Sequence, residues 1–273
     1  MAMCDYGMAS TVALAEHMTS VVRTGSVFVQ RNGIDSRLMR AAAHAVPRNS
    51  HGSRIRIFYG SATLAHNKDF NDIAIAALLP LMKQNPSVSL VIVGHLDLHP
   101  DFGEVADQVM RVDMIPDPES YWQLLSECDI NIAALADTPM NDCKSEIKWL
   151  EAAVLGVPSV VSSTATYRAV VDNGQTGLVA ATLDDWTAAV RRLASSVEER
   201  RRIGEQARDA ATIPYSPNAL SRNLLSELRT PMPVLPASAK KRVLIVNVFY
   251  PPQAIWRATP YRCGSGREHA GPS

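Results

Sequence analysis

The chain has 273 residues, 27 basic and 27 acidic side chains, and a 47% hydrophobic content in which only 6% of residues are aromatic. That length accommodates one large or two modest domains, and the composition suits an α/β protein with a sizeable core. A formal net charge of zero supplies no global field to attract nucleic acid or an anionic membrane, so those two classes of partner are excluded as the main business of the chain.

In chain order, residues 6–9 read as a short strand, Ser10 and Thr11 cap a helix running to about residue 20, and 26–30 form another strand closed by the Asn32-Gly33 turn. This opening fragment has little core of its own. A strand–helix alternation begins at residue 54. Strands are expected at 54–59, 88–93, 129–135, 159–162 and 177–181, and 105–112 reads as an extended connection or short strand. Helices are expected at 69–83, 119–128, 145–155, 166–172, 183–195, 197–211 and 219–228. Such alternation implies a parallel sheet with helices on both faces, whose ligands lie beyond the carboxyl ends of the strands. Residues 231–236, with three prolines, form a stiff linker, 241–250 read as a new buried strand, and 256–273 lose apolar periodicity and are expected to be disordered.

The most informative stretch is 141–162. Lys144 and Lys148 fall at the start of the expected helix, where backbone N–H groups already carry positive potential, and a docked anion would relieve that conflict. Lys144, Lys148 and Glu151 are spaced i, i+4, i+7 and share one face, while Ile147, Leu150 and Val154 form the core-facing stripe. The polar face reads as a site for a phosphorylated, hydroxyl-bearing ligand. The alternative is a solvated surface with a Lys148–Glu151 pair. Glu151 is placed to accept hydrogen bonds from vicinal hydroxyls such as those of a ribose. Ser145 joins the cluster. Gly60 and Ser61 follow the first strand of the alternation, where small residues allow close approach of a ligand, and His66 and Asp69 lead into the next helix. His66 reads equally as a surface or capping residue, and Asp69 as a helix N-cap.

Other chemistries find no support. There is no phosphate-binding Gly-x-x-x-x-Gly-Lys-Ser/Thr and no Gly-x-Gly-x-x-Gly after a strand. Cys4, Cys128, Cys143 and Cys263 are scattered, without zinc or disulfide spacing, which points to a reducing, cytoplasmic setting. Metal ligands are not clustered, and no cofactor is expected. No apolar run is long enough to span a bilayer, and no signal peptide is recognisable. The basic run Arg191, Arg192, Arg200, Arg201 and Arg202 is interleaved with Glu198 and Glu199 and reads as a solvated helix surface.

Taken together, Arg31-Asn-Gly-Ile-Asp35, Tyr59-Gly60, Val91-Ile-Val-Gly94, Asp129-Ile-Asn-Ile-Ala-Ala-Leu135, residues 144–163 and Asn173-Gly-Gln-Thr-Gly-Leu178 resemble a group 1 retaining glycosyltransferase of the GT-B type. The resemblance covers roughly residues 31–212, the C-terminal donor-binding half. It implies two Rossmann-like domains facing each other across a cleft, with a nucleotide-diphosphate sugar held by the C-terminal one and an alcohol acceptor by the N-terminal one. It assigns Glu151 to the donor ribose and sets Lys144 and Ser145 facing the sugar and diphosphate. The family's earlier glutamate, eight positions before Glu151, is replaced by Cys143. Its Arg and Lys after the first strand are replaced by Ser61 and roughly by His66. Lys144 and Lys148 then supply the charge that stabilises the leaving diphosphate.

The resemblance also implies a domain plan. Residues 1–30 correspond to a remnant of the acceptor domain, 31–230 to the nucleotide-sugar-binding domain, 231–240 to a linker and 241–273 to a fragment of a following module. On this plan the reading frame is truncated or disrupted and the isolated chain is doubtful as a catalyst. The alternative is a non-catalytic nucleotide-sugar-binding or interaction module that pairs with a complementary glycosyltransferase domain. An epimerase of related fold is disfavoured, because only Asp129, Glu146 and His66 are available as acid/base groups.

Overall fold

The computed structural model describes residues 4–45, 54–61, 64, 67–229 and 243–246. The expectations for His66, Cys263, the 231–240 linker and the 256–273 tail lie outside them.

The main body is a six-stranded, wholly parallel sheet. Its strands are β3 (Ile55–Ser61), β4 (Val88–Gly94), β5 (Val109–Val112), β6 (Ile130–Ala133), β7 (Ser159–Ser162) and β8 (Leu178–Ala180), in the order β5-β4-β3-β6-β7-β8. The chain builds outward from β3 through β4 to β5, then returns to the other side of β3 to lay down β6, β7 and β8. This is the doubly wound Rossmann order, and its switch point lies between β3 and β6.

Helices cover both faces, so the strands are apolar on both sides. On one face Ile57, Tyr59, Leu90, Ile92, Ile130 and Ile132 meet a helical run and α9 (Leu183–Ser195). That run comprises α3 (Asn67–Ile73), a π-helical segment at Ala74–Leu78, and α4 (Leu79–Gln84). The π turn sits just ahead of Pro80, which has no N–H to give the carbonyl four residues back. Thr187 Oγ1 donates to that carbonyl, of Ala76, at 3.4 Å. On the other face Phe58, Val91, Val93, Ala133 and Val161 pack against α2 (Ser36–His44), α5 (Pro118–Ser126), α7 (Ile147–Val154) and α10 (Val197–Thr212). Helix α10 lies close on the turn that ends α7, since a Cβ on Gly204 would stand 2.1 Å from the Gly156 carbonyl oxygen.

Two α-helices and a 3-10 run at Pro100–Gln108 escaped sequence reading, and the strand expected within 105–112 is confined to Val109–Val112. Helix α2, capped by Asp35, is clearly amphipathic but only nine residues long, and it buries Leu38 with half-buried Ala41 and Ala42 beside it. Helix α6 (Pro139–Asp142) is a single turn capped by Thr138.

The basic run is not uniformly solvated. Arg202, Arg192 and Glu199 do form surface ion pairs. Arg200, however, is buried, donates to Leu193 O at 2.7 Å and lies 3.7 Å from buried Asp129. The aliphatic arm of arginine lets it reach from a helix surface into the sheet layer.

A second, small sheet stands apart in topology. Strand β1 (Tyr6–Ala9) pairs in parallel with β2 (Val27–Val29) on one side and β9 (Val243–Val246) on the other. Helix α1 (Val12–Met18), capped by Thr11, packs on it, and its core is limited to Ala9, Ala15 and Met18 with a few half-buried neighbours. Of the buried strand expected at residues 241–250, Val243–Val246 do form a strand, but it joins the sheet of the opening residues, and Val243 and Ile245 are exposed rather than buried. After α10 the chain returns towards this sheet as α11 (Pro217–Arg229), and Glu227 Oε2 accepts from the Val29 amide at 3.0 Å.

Candidate functional site

Helix α7 follows β6 and therefore opens at the carboxyl end of the sheet. It starts at Ile147 with Glu146 as its N-cap, two residues later than the sequence suggests. Lys144 thus precedes the helix, and the i, i+4, i+7 face reduces to Lys148 and Glu151, with Lys144 brought near by the loop. The apolar stripe is also broader than expected. Trp149, Leu150, Ala152, Ala153 and Val154 are all buried while Ile147 is half-buried, because α10 packs over a side that sequence alone assigns to solvent.

Lys148 touches both strands of the switch point. Its ammonium lies 4.8 Å above the ring of Tyr59 on β3, and its carbonyl accepts from Asn131 Nδ2 on β6 at 3.2 Å. Asn131 is buried and also donates to Ser159 Oγ on β7 at 2.9 Å, which ties α7 to the sheet centre. Burial pushes the Lys148 ammonium down to about 8. The Lys144 charge acts in the same direction and Glu151 in the opposite one.

Glu151 Oε1 accepts from Trp122 Nε1 of α5 at 2.9 Å. Burial raises its carboxyl to about 7, against the Trp122 hydrogen bond and the Lys148 charge. One oxygen is therefore already committed, which narrows the bidentate acceptance read from sequence. Burial likewise lowers Lys144, partly offset by Asp69. Asp69 sits in the first turn of α3 and is not its N-cap. Its charge favours the protonated form of Lys144, against the larger effect of burial.

Gly60 and Ser61 end β3, and both are buried. The open space expected beside Gly60 is filled, since a Cβ there would stand 2.4 Å from the Tyr121 hydroxyl. Close packing against α5 thus accounts for a small residue at this position without a ligand. Ser145 is buried, and its Oγ accepts from Asn32 Nδ2 at 2.7 Å. Cys143, standing where the resembling pattern has a glutamate, is buried, and burial raises its thiol.

Sequence reasoning missed Tyr59 and Trp122 as parts of the site. Both sit in apolar patterns that signal core, and only the tertiary arrangement shows what their polar or aromatic faces meet. It named Glu146 only as an available acid/base group and missed its partners, since the buried carboxylate accepts from Arg31 Nη1 at 2.7 Å and from the Tyr215 hydroxyl at 2.6 Å. Among the described residues no three His, Cys, Asp or Glu side chains gather as metal ligands, and no helix is long and apolar enough to cross a membrane.

A doubly wound parallel sheet with helices on both faces defines a Rossmann-like domain, and Lys148 lies at its switch point. The chain belongs to the family described as glycosyl transferases group 1, whose profile matches residues 54–196, just over half of its length.

The fold is shared with solved glycosyltransferase structures. HepE from Anabaena, determined in complex with UDP and glucose, is 16% identical with a TM-score of 0.61 over 82% of this chain and 62% of its own. TarM from S. aureus is 13% identical with a TM-score of 0.61, covering 82% of this chain and 43% of its own. The sucrose-phosphate synthase of Thermosynechococcus elongatus is 17% identical with a TM-score of 0.59, covering 82% and 57% respectively. The chain thus spans roughly half the length of these structures. No curated protein sequence matches it.

Proposed function

We propose that the six-stranded domain binds a nucleotide-diphosphate sugar at the carboxyl ends of β3 and β6 and serves transfer of its glycosyl group to an alcohol. In that reaction the bond from the anomeric carbon to the diphosphate oxygen breaks. A bond to the acceptor oxygen forms, and the alcohol proton is released. Negative charge grows on the departing diphosphate, and Lys144 and Lys148 stabilise it electrostatically in a site partly shielded from water. Ser145 and Ser61 line the same loops, and Glu151 takes a donor hydroxyl with its remaining oxygen. The observation that carries the reading is Lys148, whose ammonium and carbonyl engage the two strands flanking the switch point. Membership of the glycosyltransferase family and the UDP found in the HepE complex support a nucleotide donor.

A second reading is a non-catalytic donor-binding module that works with a complementary glycosyltransferase domain. Cys143 favours it, because a buried thiol held in its neutral form replaces the carboxylate of the family pattern.

Thermal unfolding of the chain with a panel of nucleoside diphosphates and their sugars tests the binding step, because a ligand of the native state raises the midpoint by mass action. A rise that Glu151→Ala abolishes supports the site; no rise with any of them sinks it. Transfer is tested separately with labelled donor and simple alcohol acceptors. Slow or absent turnover together with binding fits the second reading, and rapid turnover by this chain rules it out.

A further inference from the structure

We propose that Glu146 is a positioning residue that fastens both chain crossings between the small sheet and the six-stranded domain to the loop presenting Lys144 and Ser145. This inference rests on the donor-site reading for its functional consequence, but not for its geometry.

The chain passes between the two sheets at residues 30–35 on leaving β2, and again at residues 213–216 before α11. The crossings lie side by side, with the Ile34 amide donating to Tyr215 O at 2.9 Å. Each delivers one side chain to the same carboxylate oxygen. Arg31 Nη1 lies 2.7 Å from Glu146 Oε1 and the Tyr215 hydroxyl lies 2.6 Å from it. Two neighbouring bonds land on the same short stretch. Asn32 Nδ2 donates to Ser145 Oγ at 2.7 Å, and Thr11 Oγ1, from the cap of α1, donates to Cys143 O at 3.0 Å. Residues 143–146 are therefore held from the small sheet and its two connections, and Lys144 lies within that stretch.

Helix capping does not account for the arrangement. Glu146 is the N-cap of α7, yet its side chain makes no cap hydrogen bond. It is fully buried, and its second oxygen takes no hydrogen bond among the described residues. A carboxylate at a helix start ordinarily satisfies the first N–H groups. Here it faces the crossings, where an ion pair must offset its own desolvation, and where apolar packing would serve stability equally well. What the polar version adds is direction, because the bonds are short and converge on one atom. Arg31 stays charged, since the Glu146 and Tyr215 interactions outweigh the effect of its burial. A shift of the small sheet relative to the six-stranded domain therefore moves the lysine loop with it.

The test compares amide hydrogen exchange and UDP titration for the 273-residue chain and for Tyr215→Phe, Arg31→Gln and Glu146→Gln. Tyr215→Phe keeps the ring against Trp149, where the two stand edge-on at 6.0 Å, and removes only the hydroxyl. Loss of one such hydrogen bond is expected to speed exchange across 143–148 about fivefold, with β4 and β6 unchanged, and to weaken UDP binding by a similar factor. Unchanged exchange at 143–148 in both Tyr215→Phe and Arg31→Gln overturns the proposal. So does loosening spread equally through β4 and β6, which marks a general stability role. If UDP binds neither the parent chain nor the variants, the donor-site reading fails while exchange still decides the fastening. Should Glu146→Gln not fold, the other two variants decide it.

Discussion

The ammonium of Lys148 rests 4.8 Å above the ring of Tyr59, and that ring in turn stacks on Phe70 with centroids 3.9 Å apart. An aromatic wall thus supports a cation at the meeting of β3 and β6, where cation–π attraction partly compensates for lost hydration. The same burial that demands this support leaves the amine ready to lose its proton near neutrality.

Nucleotide affinity should therefore depend on pH with two limbs. Above about 8 the free protein loses the Lys148 charge, and below about 7 it gains a proton on Glu151. Isothermal titration of UDP is expected to show affinity greatest between these values and falling on either side. Lys148→Met should weaken binding by about tenfold or more at pH 7.5 and abolish the alkaline limb, since a hydrogen bond to a charged group contributes about 1.5–3 kcal/mol. An alkaline limb that persists in Lys148→Met contradicts this assignment.

Glu151→Gln should stabilise the chain at pH 8. Because the folded carboxyl titrates at about 7, above its ordinary 4.5, the native state binds the extra proton between those values, and stability falls as pH rises through them. The parent gains from this group below 4.5 and has lost that gain above 7. Glutamine still accepts from Trp122 but carries no charge to bury. Urea unfolding of both proteins should coincide near pH 4.5 and diverge by up to about 3 kcal/mol at pH 8, with the variant more stable.

Gly60→Ala should destabilise the fold by about 1–3 kcal/mol, because the added methyl meets the Tyr121 hydroxyl at 2.4 Å. In a double-mutant cycle with Tyr121→Phe, much of that penalty should vanish when the hydroxyl is removed. Additive effects would show that the strain lies in the backbone of β3 instead.

Arg200→Met should cost about 3–5 kcal/mol, because it leaves Asp129 buried without its nearby cation. Asp129 still accepts from the Arg56 amide at 2.8 Å, so Arg200→Met/Asp129→Asn should recover part of the loss in chemical denaturation. Substituting the exposed Arg201, paired to Glu205 on the surface, serves as the control and should change stability little.

Legibility in the sequence followed how local each signal was. Helix α9 was plain because Thr182 and Asp185 form a reciprocal capping box ahead of a strong apolar period. Strand β7 was plain because Gly156 and Pro158 punctuate the approach to an unbroken apolar run. Helix α2 was not, although its residues are amphipathic, because its nine positions present one leucine and a few alanines to the core, too few large apolar side chains to stand out. Spacing put Lys148 and Glu151 together on α7, as the structure has them, but the helix start was misplaced and Lys144 with it. Glu146 stands at the N-cap of α7 without a side-chain cap bond, and its carboxylate meets Arg31 and Tyr215, partners far away in the chain.

By itself the sequence determined the alternation of strands and helices, the carboxyl-end placement of the candidate loops and the family pattern, because these depend on periodicity, turn chemistry and order along the chain. Tertiary structure alone decided that Arg200 turns inward, that Tyr121 occupies the space beside Gly60 and that residues 243–246 pair with residues 6–9. It also decided that Glu146 meets Arg31 and Tyr215. Each of these joins residues far apart in the chain, and the free energy that selects them comes from burial and desolvation shared among elements, which no local window of residues contains.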